Sequence, residues 1–224
     1  MDDIEAGILE GLDVSGKDVA QLCCNNGREL LSVKNMGARR CVGFDGAPGF
    51  IAQARELAAS GNINAEFVCT DVYGIPPSFN DSFDLVTITI GVLCWMPDLG
   101  KFFGVVNRLL KPGGVVFIYE QHPILDMIAP GKAGEPLEWE LSYFTEEPYT
   151  EKEGLDYFGN TRYQAKPATS FSHTMSAILM AATRNGLGLS HFEEYPHHIS
   201  NTWWNVEQAG VGLPMSYTLV MDKP

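Results

Sequence analysis

Positive charge is scarce in this chain: 15 Lys and Arg stand against 28 Asp and Glu, for a formal net charge of -13. Such a surface repels phosphate backbones and anionic lipid headgroups, so neither nucleic acid nor a membrane is an expected partner. Long apolar runs are missing too, and none approaches membrane-spanning length. The opening MDDIEAGILEGLD is acidic where a signal peptide needs a basic region and an apolar core, which sets the expectation of a cytoplasmic protein. No CxxC spacing occurs; the five cysteines, at 23, 24, 41, 69 and 94, fall in or beside strand-like segments. Cys23 and Cys24 are adjacent and would point to opposite faces of a strand, so no metal site is expected and buried reduced thiols are. Internal repeats and low-complexity tracts are absent.

What is present suits a single domain over residues 1–224, long enough for one α/β core. From Lys17 to Glu120 short β-rich apolar runs alternate with amphipathic stretches of helical length, as in βαβ units around a parallel sheet. Strands are predicted at Val19–Cys23, Arg40–Phe44, Glu66–Cys69, Phe83–Ile90 and Val115–Glu120. Helices fill the gaps: Arg28–Met36 before Gly37, Pro48–Ala59 with its initial proline, and Leu99–Leu110 before Lys111-Pro112-Gly113-Gly114. The stretch from about 121 to 170 breaks this rhythm with Pro, Gly and Glu, yet carries Trp139, Tyr143, Phe144, Tyr149, Tyr157, Phe158 and Tyr163. So many aromatics do not suit a disordered linker, and an ordered insertion is predicted, partly a β-hairpin, lying as a lid over the pocket mouth. A helix near Ser172–Asn185 and strands near Ser190–Tyr195 and Ser216–Met221 close the chain.

The most informative segment is Val19-Ala20-Gln21-Leu22-Cys23-Cys24-Asn25-Asn26-Gly27-Arg28-Glu29, a strand entering a turn and then a helix. Small or αL-tolerant residues there let a ligand approach the backbone, and the helix end adds a positive field. One helix later Asp45, followed by Gly46, should sit at the carboxyl end of the neighbouring strand, placed to accept from both hydroxyls of a ribose. Asp71, with Val72, ends a third strand and can accept from an exocyclic adenine amine. Three adjacent strand ends thus describe an adenosine site. The G-x-G-x-x-G fingerprint of a nicotinamide dinucleotide is absent from Cys23–Arg28.

In their order, Leu22–Gly27, Gly43-Phe44-Asp45, Thr70-Asp71-Val72, Asp81-Ser82-Phe83-Asp84-Leu85-Val86 and Arg108-Leu109-Leu110-Lys111-Pro112-Gly113-Gly114 resemble class I S-adenosylmethionine-dependent methyltransferases throughout residues 17–120. The resemblance implies an α/β, Rossmann-like three-layer sandwich with a seven-stranded, mostly parallel sheet and an antiparallel last strand. It implies S-adenosyl-L-methionine as cofactor and S-adenosyl-L-homocysteine as product. Cys23, Asn25 and Gly27 would cradle the methionine part, Asp45 the ribose, and Asp71 and Val72 the adenine. Thr89, Ile90, Gly91 and Val92 would face the sulfonium and the acceptor. Two departures stand out: the family's first loop usually has glycines where this chain has Cys23 and Asn25, and the first strand starts close to Met1. The N-terminal lid is therefore expected to be shortened, or completed by the insertion or by a partner chain.

Methyl transfer is an in-line displacement, and a proton acceptor is needed only for a protonated nucleophile. His122, in Glu120-Gln121-His122-Pro123, is the first candidate for that base, ahead of Tyr119 and Glu120 beside it and of His173, His197 and His198 in the C-terminal third. His122 as a turn histidine and His197-His198 as an exposed loop are the competing readings. Trp95, Trp139, Tyr143, Tyr157 and His197 are the candidate walls of an acceptor pocket. Trp203 and Trp204 belong either to that wall or to a subunit contact, which would make the protein a homodimer. The expected function is methyl transfer to O, N or S of a small-molecule acceptor. Its rivals are a cofactor-binding, non-methylating member of the fold and an NAD(P)-dependent oxidoreductase.

Overall fold

A computed structural model describes residues 1–153, 164–200 and 202–224. The strands are β1 (Asp18–Leu22), β2 (Arg40–Asp45), β3 (Glu66–Cys69), β4 (Phe83–Thr89), β5 (Leu110–Gln121), β6 (Tyr149–Glu153), β7 (Gln164–Ser170), β8 (Gly188–Tyr195) and β9 (Ser216–Asp222). The helices are α1 (Asp3–Gly11), α2 (Arg28–Asn35), α3 (Pro48–Ser60), α4 (Leu99–Leu109), α5 (Met175–Arg184) and α6 (Trp204–Ala209). Seven strands form one sheet in the order β3-β2-β1-β4-β5-β9-β8. β9 runs antiparallel to both its neighbours, and the pairings of β1 to β5 are parallel. Rossmann-like α/β is therefore the observed class.

Every residue of β1 is buried, as a central strand covered on both faces requires. Alternation then splits the core into two layers. On one face Val86 and Ile88 of β4 and Ile118 of β5 pack with Phe102, Val106 and Leu109 of α4 and Ile178 of α5. On the other, Val19, Leu85 and Phe117 pack with Leu9 of α1, Leu30 of α2 and Ile51 of α3. Helices thus cover both faces of the sheet, and burying these side chains contributes on the order of 2 kcal/mol apiece.

Acidic and basic groups lock the amino-terminal edge. Asp84 Oδ2 accepts from the Asp18 amide at 2.8 Å, and Lys111 Nζ donates to Asp18 Oδ2 at 3.0 Å and to Asp84 Oδ2 at 2.9 Å. Arg39 Nε completes the cluster on Asp18 Oδ1 at 2.9 Å. Asp84 and Lys111 therefore staple the starts of β1, β4 and β5, at the end of the sheet opposite their carboxyl termini.

Three elements depart from expectation. β5 begins at Leu110 rather than Val115, because a bulge between Phe83 and Leu85 lets Leu110 pair with Phe83 before the Pro112-Gly113-Gly114 turn chemistry takes over. α1 is a nine-residue helix, capped by Asp2, whose Oδ1 accepts from the amides of Ile4 and Glu5. α6 follows Trp203 and ends at Gly210 in the left-handed region. β6 and β7 pair antiparallel, with Tyr149 opposite Ser170 and the hydroxyls of Thr150 and Thr169 3.1 Å apart. Among the described residues no helix is long and apolar enough to cross a membrane.

Candidate functional site

The carboxyl ends of β1, β2, β3 and β4 converge on one turn. After β1 the backbone takes the left-handed conformation at Cys23 (φ 52°), Asn25 (φ 50°) and Gly27 (φ 75°). Asparagine and glycine adopt it readily, whereas at Cys23 it costs on the order of 1 kcal/mol, a strain of the kind that collects at ligand sites. The turn is held from the second strand: Asp45 Oδ2 accepts from the Asn25 amide and Asp45 Oδ1 from the Ala47 amide, each at 2.8 Å. Each oxygen keeps a further lone pair, and the side chain is half-buried, open to a second donor. Asp71 Oδ1 caps the following turn through the Tyr73 amide at 2.8 Å, while Asp71 itself is exposed and Val72 is buried beside it. Burial raises the Cys23 thiol to about 12, and the carboxylates of Asp45, Asp71 and Glu120 push the same way. Those three acids therefore surround the β1 turn.

Gln21, fully buried in β1, donates to Thr89 Oγ1 at 2.9 Å, and its Oε1 has no hydrogen-bond partner. An orphaned buried acceptor costs about 1–3 kcal/mol, which a ligand donor would recover. The residues fit S-adenosylmethionine: an open turn for a backbone-hugging chain, a half-free carboxylate for a diol, a second acid one strand further on, and an acceptor lacking a donor.

A second opening lies across β4. Its wall includes Gly91, Cys94, Glu120, His122, Asp126, Phe171 and His173, around roughly 50 Å³ of free space. The chain after β7 supplies one side, where the Phe171 amide donates to Cys94 O at 2.7 Å and His173 Nε2 lies 2.8 Å from Met96 O. Glu120 is the floor. Its Oε1 accepts from the Gly91 amide at 2.6 Å and the Gln121 amide at 2.9 Å, and its Oε2 from Val92 at 2.7 Å and Leu93 at 3.2 Å. Burial raises the Glu120 carboxyl, and these four amides oppose the rise. Asp126 is raised to about 6 by burial, against a hydrogen bond from Ser172 and with the Glu120 charge adding to the rise.

The residues singled out for chemistry distribute unevenly. Cys23, Asn25, Gly27, Asp45, Gly46, Asp71, Val72, Thr89, Ile90 and Gly91 all lie on or beside the converging strand ends. His122 reaches the cavity wall, but its Nδ1 accepts from the Ile124 amide at 3.1 Å and its Nε2 stands 2.9 Å from Glu194 Oε1. Burial lowers its pKa against the pull of Glu194, so the neutral ring donates to Glu194 and has no lone pair left for a substrate. The turn reading of His122 is therefore the one its geometry fits. Tyr119 points to the opposite face, where its hydroxyl donates to Asp2 Oδ2 at 2.9 Å beneath α1. His198 packs edge-on to Trp204 at 4.6 Å, with Nε2 3.0 Å from Glu207 Oε2 but outside hydrogen-bonding angles. Neither residue lines the cavity.

Of the proposed walls, Trp95 packs half-buried against the core beside the cavity, and Trp139 is 69% exposed. Tyr143 braces α5 by accepting from the Met175 amide at 2.9 Å. His197 lies tilted against Tyr195, ring centroids 5.5 Å apart, and is not part of the cavity wall. Tyr157 lies outside the described residues. Sequence reasoning missed Asp126, Phe171 and the constraint on Glu120. Only Glu120 left a trace: it shares a strand face with Val116 and Ile118, where a charge is out of place.

Residues 19–114 match a family described as a methyltransferase domain, the stretch that carries the β1 turn, Asp45, Asp71 and the end of β4. That stretch is similar to methyltransferase domains, in keeping with the class I S-adenosylmethionine-dependent resemblance of residues 17–120. S-adenosylmethionine is the cofactor that this likeness implies. Among curated relatives, a tRNA U34 carboxymethyltransferase of Campylobacter hominis is 30% identical over 109 residues, 48% of this chain and 37% of that protein. A ribosomal protein L11 methyltransferase of Tolumonas auensis is 27% identical over 145 residues, 65% of this chain and 45% of that protein. The chain thus spans less than half the length of either. An S-adenosylmethionine-dependent methyltransferase from Mesorhizobium loti shares the fold, with a TM-score of 0.72, 23% identity and 97% of each chain covered.

Proposed function

We propose that this chain transfers a methyl group from S-adenosylmethionine to an oxygen, nitrogen or sulfur atom of a small molecule. The observation that carries the reading is the ordered set of β1 turn, Asp45 and Asp71 on adjacent strand ends, beside a separate cavity behind Gly91. When bound, the cofactor supplies a methyl group already activated on a positively charged sulfur. Asn25 and Gly27 present backbone to its amino-acid part, Asp45 takes the ribose hydroxyls and Asp71 the adenine amine. Thr89, Ile90 and Gly91 separate this pocket from the acceptor cavity.

Asp126 replaces His122 as the proton acceptor. It lines the cavity, and a carboxyl raised to about 6 is mostly ionised at neutral pH yet basic enough to take a proton from an acidic nucleophile. Phe171 and His173, whose pKa burial lowers, form part of the cavity wall. A small acceptor is favoured by a net charge of -13, which opposes a polyanionic substrate such as tRNA.

Calorimetric titration with S-adenosylhomocysteine tests the cofactor assignment without an acceptor. Micromolar binding at about one site per chain is expected, with no saturable binding of NADH. Saturable NADH binding with no response to S-adenosylhomocysteine would overturn the reading.

A further inference from the structure

We propose that Glu120 is a positioning residue: its carboxylate fixes the turn that leaves β4 and so sets the wall shared by the cofactor pocket and the acceptor cavity. The claim rests on the methyltransferase reading for the identity of the pocket. It rests on geometry for the hold itself.

Gly91, Val92 and Leu93 are consecutive, and all three amides point inward to one side chain on the neighbouring strand, 29, 28 and 27 positions away in sequence. Such a run of amides forms a concave anion cradle. Here the anion is the protein's own. At Gly91 φ is 79° and a Cβ built there would meet nothing within 4 Å, whereas Val92 and Leu93 bury their side chains in the core. Side-chain packing thus holds the second and third residues of the turn, and at Gly91, which has no side chain to pack, the carboxylate supplies the hold on the amide.

A wholly buried carboxylate is costly unless its lone pairs are filled. Among the described residues no Lys or Arg pairs with Glu120, and the four amide bonds alone supply the compensation. Tyr217, buried directly opposite on β9, and Ile118 on the same strand face offer no counter-charge. The charge is explained by the turn it organises. A glutamine cannot do the same, because its amide nitrogen has no lone pair to offer and would confront two of the four N–H groups.

The test joins amide hydrogen exchange with titration by S-adenosylhomocysteine, on the intact chain and on Glu120→Gln, at a temperature where circular dichroism shows both folded. In Glu120→Gln, exchange at residues 91–93 should accelerate at least about tenfold while β1 is unchanged, and the Kd for S-adenosylhomocysteine should rise about tenfold. Unchanged exchange at 91–93 overturns the proposal. So does faster exchange with a Kd within about twofold of the parent, since the turn would then be held for no purpose at this pocket. If Glu120→Gln does not fold, Gly91→Ala decides: it strains the turn at a positive φ without touching Glu120, and an unchanged Kd there refutes the positioning role. Failure of the parent chain to bind S-adenosylhomocysteine sinks the methyltransferase reading instead; the exchange comparison then stands alone, faster exchange supporting the hold of Glu120 on the turn and unchanged exchange removing it.

Discussion

Replacing Asp45 with alanine separates the two tasks assigned to one carboxylate. Within the protein, the change removes the acceptors for the Asn25 and Ala47 amides, both bound at 2.8 Å. Each half-buried amide so released costs about 1 kcal/mol. For a chain of 224 residues that pair of losses lowers Tm by about 3–6 °C. Toward the cofactor, the change removes two hydrogen bonds from ribose hydroxyls to a charged acceptor, together worth roughly 3 kcal/mol, so the Kd for S-adenosylhomocysteine should rise about 100-fold. Asp45→Asn keeps the shape and one oxygen, and should fall between the two with about a tenfold weaker Kd. Calorimetry gives the affinity and a thermal melt gives the stability, on the same samples. A variant that melts several degrees lower yet binds S-adenosylhomocysteine as the parent does would refute the reasoning: Asp45 would then be a cap of the β1 turn and nothing more.

Other outcomes follow from the same structure. Once an acceptor is in hand, the rate should rise with pH through about 6 as Asp126 ionises, and Asp126→Asn should be at least about 100-fold slower with that limb gone; a pH limb retained in the variant excludes Asp126 as the base. Asp18 is held down to about 2, first by the Arg39 hydrogen bond, so its stabilisation is complete above about 4 and lost as pH falls toward 2. Because Arg39 is 64% exposed, the loss should be only about 1 kcal/mol in urea melts at pH 5 and pH 3, and absent in Asp18→Asn; equal acid sensitivity in both proteins contradicts it. With a thiol reagent at pH 8, Cys69 alone is exposed and should react fast, while burial raises Cys23 and Cys41 to about 12 and Cys24 and Cys94 still further. A fast phase that survives Cys69→Ser would show that one of the buried thiols opens to solvent.

Local patterns carried much of this outcome. β1 to β4 are legible because each is a short apolar run closed by a turn, and Asp45 because a carboxylate after the second strand has a fixed place in such a sheet. Asp84 and Lys111 were legible as a motif, but not as a staple at the edge remote from the site, since that needs the starts of β1, β4 and β5 side by side. α1 escaped notice because its stability comes from a cap at Asp2 and burial of Leu9 against the sheet, neither of which gives a strong periodic signal in a short acidic stretch. His122 is occupied at both ring nitrogens: the Ile124 amide two residues on takes the Nδ1 lone pair, and Glu194, which arrives from β8 far along the chain, faces Nε2. Glu120 finds three of its four amides in the turn after β4, far from it in sequence.

The bond from Phe171 to Cys94, with His173 set against Met96, ties the chain after the β6–β7 hairpin to the turn that Glu120 anchors. On the proposed reading, an acceptor in the cavity would press on the same few backbone atoms that bound the cofactor's side. Thermodynamic linkage then makes the two affinities reciprocal: a factor by which the cofactor tightens the acceptor is the factor by which the acceptor tightens the cofactor. If the proposed sites hold, exchanging the hairpin for another sequence would retune both at once, and acceptor choice would be limited by the turn beside the cofactor.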